Sequence, residues 1–150
     1  MKILKIKWQR LVYEGDTCPR CKNTGKEIKK AVSNLRKSLN SLGVKVVFDK
    51  EELSIKKFKE NPLNSNVIMI NNQPLEYWVD GEIGKSECCD VCGPNDCRTI
   101  TVGEKTYEEI PSDLIIKGGL IAASDIVTNE TTKTCCGSDS ESPQSSSCSC

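Results

Sequence analysis

The sequence predicts a single α/β domain, and three observations carry that prediction. Apolar runs of period two alternate with runs of period three to four, in the order strand, helix, strand, helix, strand, strand. At 150 residues the chain is long enough for one sizeable core. The segment Asp16-Thr17-Cys18-Pro19-Arg20-Cys21-Lys22 stands where the first strand hands over to the first helix.

Ile3 to Tyr13 reads as the first strand, with Leu4, Ile6 and Trp8 on one face. Gly15-Asp16-Thr17 breaks it. The first helix reads as Glu27 to Leu42, because Ile28, Ala31, Val32, Leu35, Leu39 and Leu42 recur at three- and four-residue steps, and Gly43 is a good stop. Val44 to Phe48 follows as a second strand, parallel to the first across the intervening helix. Ser54 caps a short helix through Phe58, which Pro62 ends by forcing Asn61 out of helical geometry. Val67 to Ile70 is a third strand. Asn71-Asn72 supplies a tight turn, and Pro74 to Val79 returns as an antiparallel edge.

A cysteine-rich insertion follows at about 84–98, holding Cys88-Cys89-Asp90-Val91-Cys92-Gly93-Pro94-Asn95-Asp96-Cys97. A β-hairpin, Thr99 to Val102 and Lys105 to Ile110, turns at Gly103. Ser112 caps a last helix through Ala123, whose Leu114, Ile115, Leu120 and Ile121 are expected on the sheet. The element order is that of a thioredoxin-like fold, here with a Cys-rich insertion plus a β-hairpin before the last helix. The domain is assigned to residues 1–127. From about Thr128 the chain is rich in Thr, Ser, Gly and charge, so 128–150 reads as a disordered Ser/Cys-rich tail that cannot bury enough surface to offset ordering entropy.

Composition narrows the chemistry. Basic and acidic residues balance at 21 each, which points to no nucleic-acid or membrane surface. No apolar run is long enough for a signal peptide or a membrane span, so the expectation is a soluble, cytoplasmic protein; oligomeric state is not read from the sequence. The chain has ten cysteines and no histidine. Ser–His and Cys–His catalysis and histidine metal sites are thereby excluded, and thiols carry the chemistry. In a reducing compartment that means redox exchange or soft-metal binding.

Cys18 and Cys21 form a CxxC at a strand–helix junction, the arrangement of redox dithiols. The unpaired N–H groups and dipole of a helix N-terminus stabilise a thiolate, which suits Cys18 as nucleophile and Cys21, one turn on, as resolving thiol. Half of a structural zinc site is the alternative for this pair. Cys88, Cys89, Cys92 and Cys97 have the spacing of a four-thiolate site, and soft sulfur ligands select zinc, copper(I), an iron–sulfur cluster or another thiophilic ion. Vicinal Cys88 and Cys89 also suit trivalent arsenic, mercury or disulfide relay, and paired structural disulfides remain open. Cys135, Cys136, Cys148 and Cys150 in the tail read either as a mobile thiol arm or as incidental thiols.

From Lys5 to Ala123 the sequence resembles an uncharacterised, cysteine-rich branch of the thioredoxin-like superfamily in bacteria and archaea, a domain of unknown function. The blocks that carry the likeness are Trp8-Gln9-Arg10-Leu11, Thr17-Cys18-Pro19-Arg20-Cys21, Asn61-Pro62-Leu63, Pro74-Leu75-Glu76 and Cys88-Cys89-Asp90-Val91-Cys92-Gly93. The resemblance implies the fold. Thioredoxins and glutaredoxins place a cis-proline just before the third core strand, opposite the CxxC; here Ser65-Asn66 holds that place, a departure that bears on general protein-disulfide exchange. The expected function is a thiol–disulfide redox protein whose partner is a thiol or disulfide protein or a small thiol, possible as a thiol–disulfide oxidoreductase. A soft-metal or metalloid binding protein using the same cysteines is the alternative.

Overall fold

The structure is a computed structural model that describes residues 2–12, 19–87 and 96–135, with side chains through 128. Strand β1 (Lys2–Leu11) is central to a four-stranded sheet of order β2-β1-β3-β4. Its alternation buries Leu4, Ile6 and Trp8 on one face. Strand β2 (Val44–Leu53) lies parallel to β1 through its whole length. It runs on past Phe48 through charged residues because β1 offers ladder partners to the end, with Lys7–Glu51 and Arg10–Glu52 ion pairs across the two strands.

Helix α1 (Pro19–Leu39) begins well before Glu27. Proline is well placed in a first turn, where its missing N–H would have no partner anyway. The buried stripe extends back from Ile28 through Gly25 and Thr24 to Cys21. Two small or polar residues in that stretch hide the periodicity from a hydropathy reading. A 3-10 turn (Asn40–Leu42) ends the helix, and Gly43 takes the left-handed conformation at φ 68°. Ser54 caps α2 (Ile55–Glu60), its hydroxyl accepting from the Lys57 N–H.

Strand β3 (Val67–Ile70) is antiparallel to β1. Asn71 and Asn72 turn the chain at positive φ, and Asn71 bonds Lys5 twice, through Lys5 N–H to Oδ1 and its own N–H to Lys5 O. The expected return strand from Pro74 to Val79 is corrected. Strand β4 spans only Gln73–Pro74, and Leu75–Val79 forms a short helix, α3. Pro74 has no N–H with which to extend the ladder. Leu75 and Val79, four apart, are buried together on one helical face, while Trp78 Nε1 donates to Ile70 O at 2.8 Å.

Strands β5 (Glu82–Glu87), β6 (Asp96–Val102) and β7 (Lys105–Tyr107) form a three-stranded antiparallel sheet among the described residues. The hairpin turning at Gly103 is present, φ 64°. The insertion assigned to about 84–98 is narrower than expected, since residues 82–87 pair with 96–101 as a ladder. Polar β5, with two exposed glutamates and a central glycine, carries no apolar alternation to reveal it.

Helix α4 (Ser112–Cys135) packs beside α1. Its buried stripe runs Ile115, Gly118, Gly119, Ala122 and Ala123, whereas Leu120 and Ile121 point outward, correcting the expectation for those two. The adjacent glycines allow close approach on two sides: a Cβ at Gly119 would lie 2.6 Å from Leu35 of α1, and one at Gly118 2.7 Å from Leu75 of α3. The helix continues through Thr128 to Cys135, into the segment expected to be disordered. Once a helix is anchored, each further residue adds a backbone hydrogen bond without needing burial. Residues 136–150 lie outside the described residues.

Two predictions follow from this packing. A Cβ at Gly25 would meet Trp8 Cη2 at 2.7 Å and Cζ3 at 3.0 Å, and that ring is fixed by its own hydrogen bond. Overpacking costs about 1–3 kcal/mol, against about 1 kcal/mol of helix propensity gained. Gly25→Ala therefore lowers the urea midpoint, whereas a solvated glycine in a helix would raise it. At the start of α4, the Ser112 N–H donates to Glu27 Oε2 at 2.8 Å, and Lys30 also bonds this carboxylate. These contacts, Ser112 first, hold Glu27 below its ordinary 4.5. Its contribution is therefore present above that value and is lost as pH falls through the lower folded value. Glu27→Gln should be less stable than the parent at neutral pH, and the difference should vanish in acid, as read by thermal melts across pH.

Candidate functional site

Cys21 lies in the first turn of α1 and is 3% exposed. Its Sγ is 4.0 Å from the Ser65 hydroxyl, which accepts the Leu11 N–H at 3.0 Å. The end of β1, the start of α1 and the turn before β3 thus converge on this sulfur. Asn66, next in sequence, has φ 61° and a buried side chain. Its Oδ1 accepts from Trp8 Nε1 at 3.0 Å, and its Nδ2 donates to Thr24 Oγ1 at 3.3 Å. Thr24, fully buried three residues after Cys21, also accepts the Ile110 N–H at 3.2 Å. A neutral, hydrogen-bonded layer therefore lies beneath the first turn of α1. Ser65 and Asn66, singled out in the sequence as standing in the cis-proline place, sit against Cys21 and Thr24 respectively.

Arg20, between the two cysteines of the motif, reaches across to the small sheet. Nη1 donates to Ser86 Oγ at 2.7 Å, Nη2 donates to Glu87 O at 2.8 Å, and Nη2 is 3.0 Å from a Glu108 carboxylate oxygen. Ser86 and Glu87 are the last residues of β5 before the cysteine-rich segment, and Ser86 is the ladder partner of Cys97. Asn23 adds a bond to Glu109 at 2.9 Å. Arg98, one residue beyond Cys97, pairs with Glu76 and donates to Leu63 O at 3.1 Å. The small sheet is pinned to the main layer on both sides of the cysteine-rich segment's exit.

Of the residues expected to act, Cys21 and Cys97 are described. Cys97 is buried at the start of β6 and is disulfide-bonded. Cys18, Cys88, Cys89 and Cys92 lie outside the described residues, as do Cys136, Cys148 and Cys150, while Cys135 ends α4. Among the described residues no three cysteine or acidic side chains are grouped to hold a metal ion, and no helix is long and apolar enough to cross a membrane. Arg20, Thr24 and Arg98 were not recognised from sequence as part of the site. Their partners lie far along the chain, and only the arginine inside the CxxC gave a local signal.

The fold and site define a mixed α/β protein with a cysteine-bearing helix start clamped to a second, smaller sheet. The chain belongs to the family described as Domain of unknown function (DUF2703), whose model matches residues 4–119. An uncharacterized protein of Archaeoglobus fulgidus is 43% identical over 112 residues, covering 75% of this chain and 82% of that protein. No solved structure matches the chain.

The buried layer gives a direct expectation. Asn66→Ala strips the acceptor from the Trp8 N–H and places a Cβ-only residue in left-handed backbone. The combined cost is roughly 2–4 kcal/mol, measurable by urea unfolding. A change within a few tenths of a kcal/mol would mean that the Trp8–Asn66–Thr24 chain does not hold α1 in place.

Proposed function

We propose that this protein is a thioredoxin-like thiol–disulfide redox protein with Cys18 and Cys21 as its working dithiol. The observation that carries the reading is the Arg20 clamp. It brings the start of α1, which carries Cys21, to Ser86 and Glu87, where the chain enters the segment holding Cys88, Cys89 and Cys92, and to the ladder rung occupied by Cys97. The main sheet supports the fold assignment, with β1 and β2 parallel around α1 and β3 and β4 antiparallel beyond. The burial of Cys21 suits a resolving thiol, which attacks only a sulfur already bonded to its neighbour.

The chemistry needs no group beyond the two thiols. The Cys18 thiolate attacks one sulfur of a substrate disulfide; that S–S bond breaks, and the other substrate sulfur leaves as a thiolate. Cys21, as thiolate, then attacks Cys18, releasing the second substrate thiol. The protein ends as a disulfide and the substrate has gained two electrons and two protons. A partner protein dithiol or a small thiol returns them.

A second reading shares the same observation. A site built from Cys18, Cys21 and the Cys88–Cys97 group, once the disulfide at Cys97 is reduced to free its thiol, would hold a soft ion such as zinc or a trivalent metalloid without turnover. Both are tested on full-length protein purified without oxygen or added metal. Under the redox reading, mild oxidation removes two hydrogens, mapped to Cys18 and Cys21. Cys21→Ser then accumulates a mixed disulfide with a small thiol, and Cys18→Ser does not. A dithiol that stays reduced, together with a stoichiometric ion that Cys97→Ser releases, would overturn it in favour of ion binding.

A further inference from the structure

Helix α1 carries seven lysine and arginine residues and a single glutamate, in a chain whose formal charge is zero. That glutamate, Glu27, is already bonded by Ser112 and Lys30. Lys22, Lys26, Lys29 and Lys30 follow at three- and four-residue steps, a spacing at which like charges destabilise a helix. Beside the second half of α1 runs β2, the edge strand of the main sheet, which pairs only with β1 among the described residues. Two hollows, of ≈ 360 and ≈ 470 Å³, lie between the helix and that edge and share Arg36. Exposed Lys29, Lys37 and Lys45 line them together with Arg36, and no carboxylate does so among the described residues. Buried Val44 and Val46 and half-buried Phe48 supply the apolar lining.

The backbone of this edge is open. Leu53 turns its carbonyl to β1, where it accepts the Val12 N–H, whereas Val46 O accepts Arg36 Nε at 3.3 Å on the outer side. Strand residues alternate, so Val44, Val46 and Phe48 direct their N–H and C=O groups away from β1. The strand is ten residues long, and its Val44–Phe48 half is rich in valine and free of proline, the kind of edge that folded proteins cover. Val46 O keeps a second lone pair for an incoming N–H. Nothing among the described residues bonds the Arg36 Nη groups.

We infer that this groove is a docking site for an extended acidic segment of a partner protein, which adds to the sheet as a strand outside β2. Residues opposite Val44, Val46 and Phe48 bond their backbone to the edge and point their side chains to the α1 face, where carboxylates meet Lys29, Arg36 and Lys37. A polypeptide fits this groove better than a nucleic acid, because the edge offers backbone donors and acceptors at the two-residue period of a strand. Asp49 does not oppose it, since its side chain lies on the other face of β2, in the rung shared with Lys7. The groove follows α1 from Lys29 to Gly43, away from the turn of Cys21, and the inference is independent of the redox reading.

The test adds a short capped peptide of alternating Glu and Val to the full-length protein at low salt and follows amide exchange by NMR. In the free protein the Val46 and Phe48 amides should exchange faster than those of Lys45 and Val47. The peptide should slow the first pair and leave the second unchanged. Lys29→Gln combined with Lys37→Gln, both on exposed side chains, should weaken binding by about two- to thirtyfold. N-methylation of the peptide's glutamates, which removes the N–H groups that face β2, should abolish binding, and N-methylation of its valines should not. No slowing at Val46 and Phe48, or an affinity indifferent to the two lysines, overturns the inference. Equal affinity for the glutamate-methylated peptide or for a thymidine oligonucleotide also overturns it, because the groove would then respond to negative charge alone. Protection of the Val46 and Phe48 amides before any peptide is added overturns it too, in favour of an edge filled by the chain itself or a second copy.

Discussion

Asn66 is the residue on which most of the rest depends. It occupies left-handed backbone just before β3 and sends its amide between the sheet and α1, one end to Trp8 and the other to Thr24. Thr24 in turn receives the chain just before α4 through Ile110. Two buried, short polar side chains thus connect four separate segments. Such a layer is strongly directional, because each buried donor left without its acceptor is expensive. It determines how α1 rotates about its axis, and with it where Cys21 points.

Around that layer the molecule is held by guanidinium groups at its margins. Arg20 and Arg98 each combine a backbone carbonyl with a carboxylate, a use for which the planar fork of arginine is well shaped and lysine is not. One starts from the main layer and reaches β5; the other starts from β6 and reaches the main layer. Among the described residues the two sheets share no ladder, so these crossings, with the apolar contacts of Ile100 and Ile110, keep them in register.

Much of the fold was legible because period and punctuation agreed. The strands around Leu4–Trp8 and Val67–Ile70, the stripe of α1 from Ile28 to Leu39, the Gly43 stop, the Ser54 cap and the paired asparagines all stand where local pattern placed them, whereas Leu42, expected on that stripe, lies exposed in the 3-10 turn. The errors came where tertiary partners replaced local signal. Leu75–Val79 is helical because its apolar pair and Trp78 dock on the end of β3, and β5 exists because β6 pairs with it. The first turns of α1 were obscured by Thr24 and Gly25, buried for hydrogen bonding and close approach rather than for hydrophobicity. Of the candidate site, the cysteines stood out in the sequence as candidates. Arg20 had no visible role, since its contacts lie 66 and 67 residues away and no short-range spacing encodes them.

The pairing of Ser86 with Cys97 and of Glu87 with Asp96 has an evolutionary consequence. The cysteine-bearing segment departs from and returns to the same last rung, Glu87 opposite Asp96, of a ladder that the clamps already secure. With its ends held together in this way, the entropy of closing the segment grows only with the logarithm of its length, roughly 0.6 kcal/mol for each doubling. Thiols can be added, removed or respaced there while the scaffold stays as it is. The length of that connection is thus weakly tied to the stability of the scaffold, in contrast to the Trp8–Asn66–Thr24 layer.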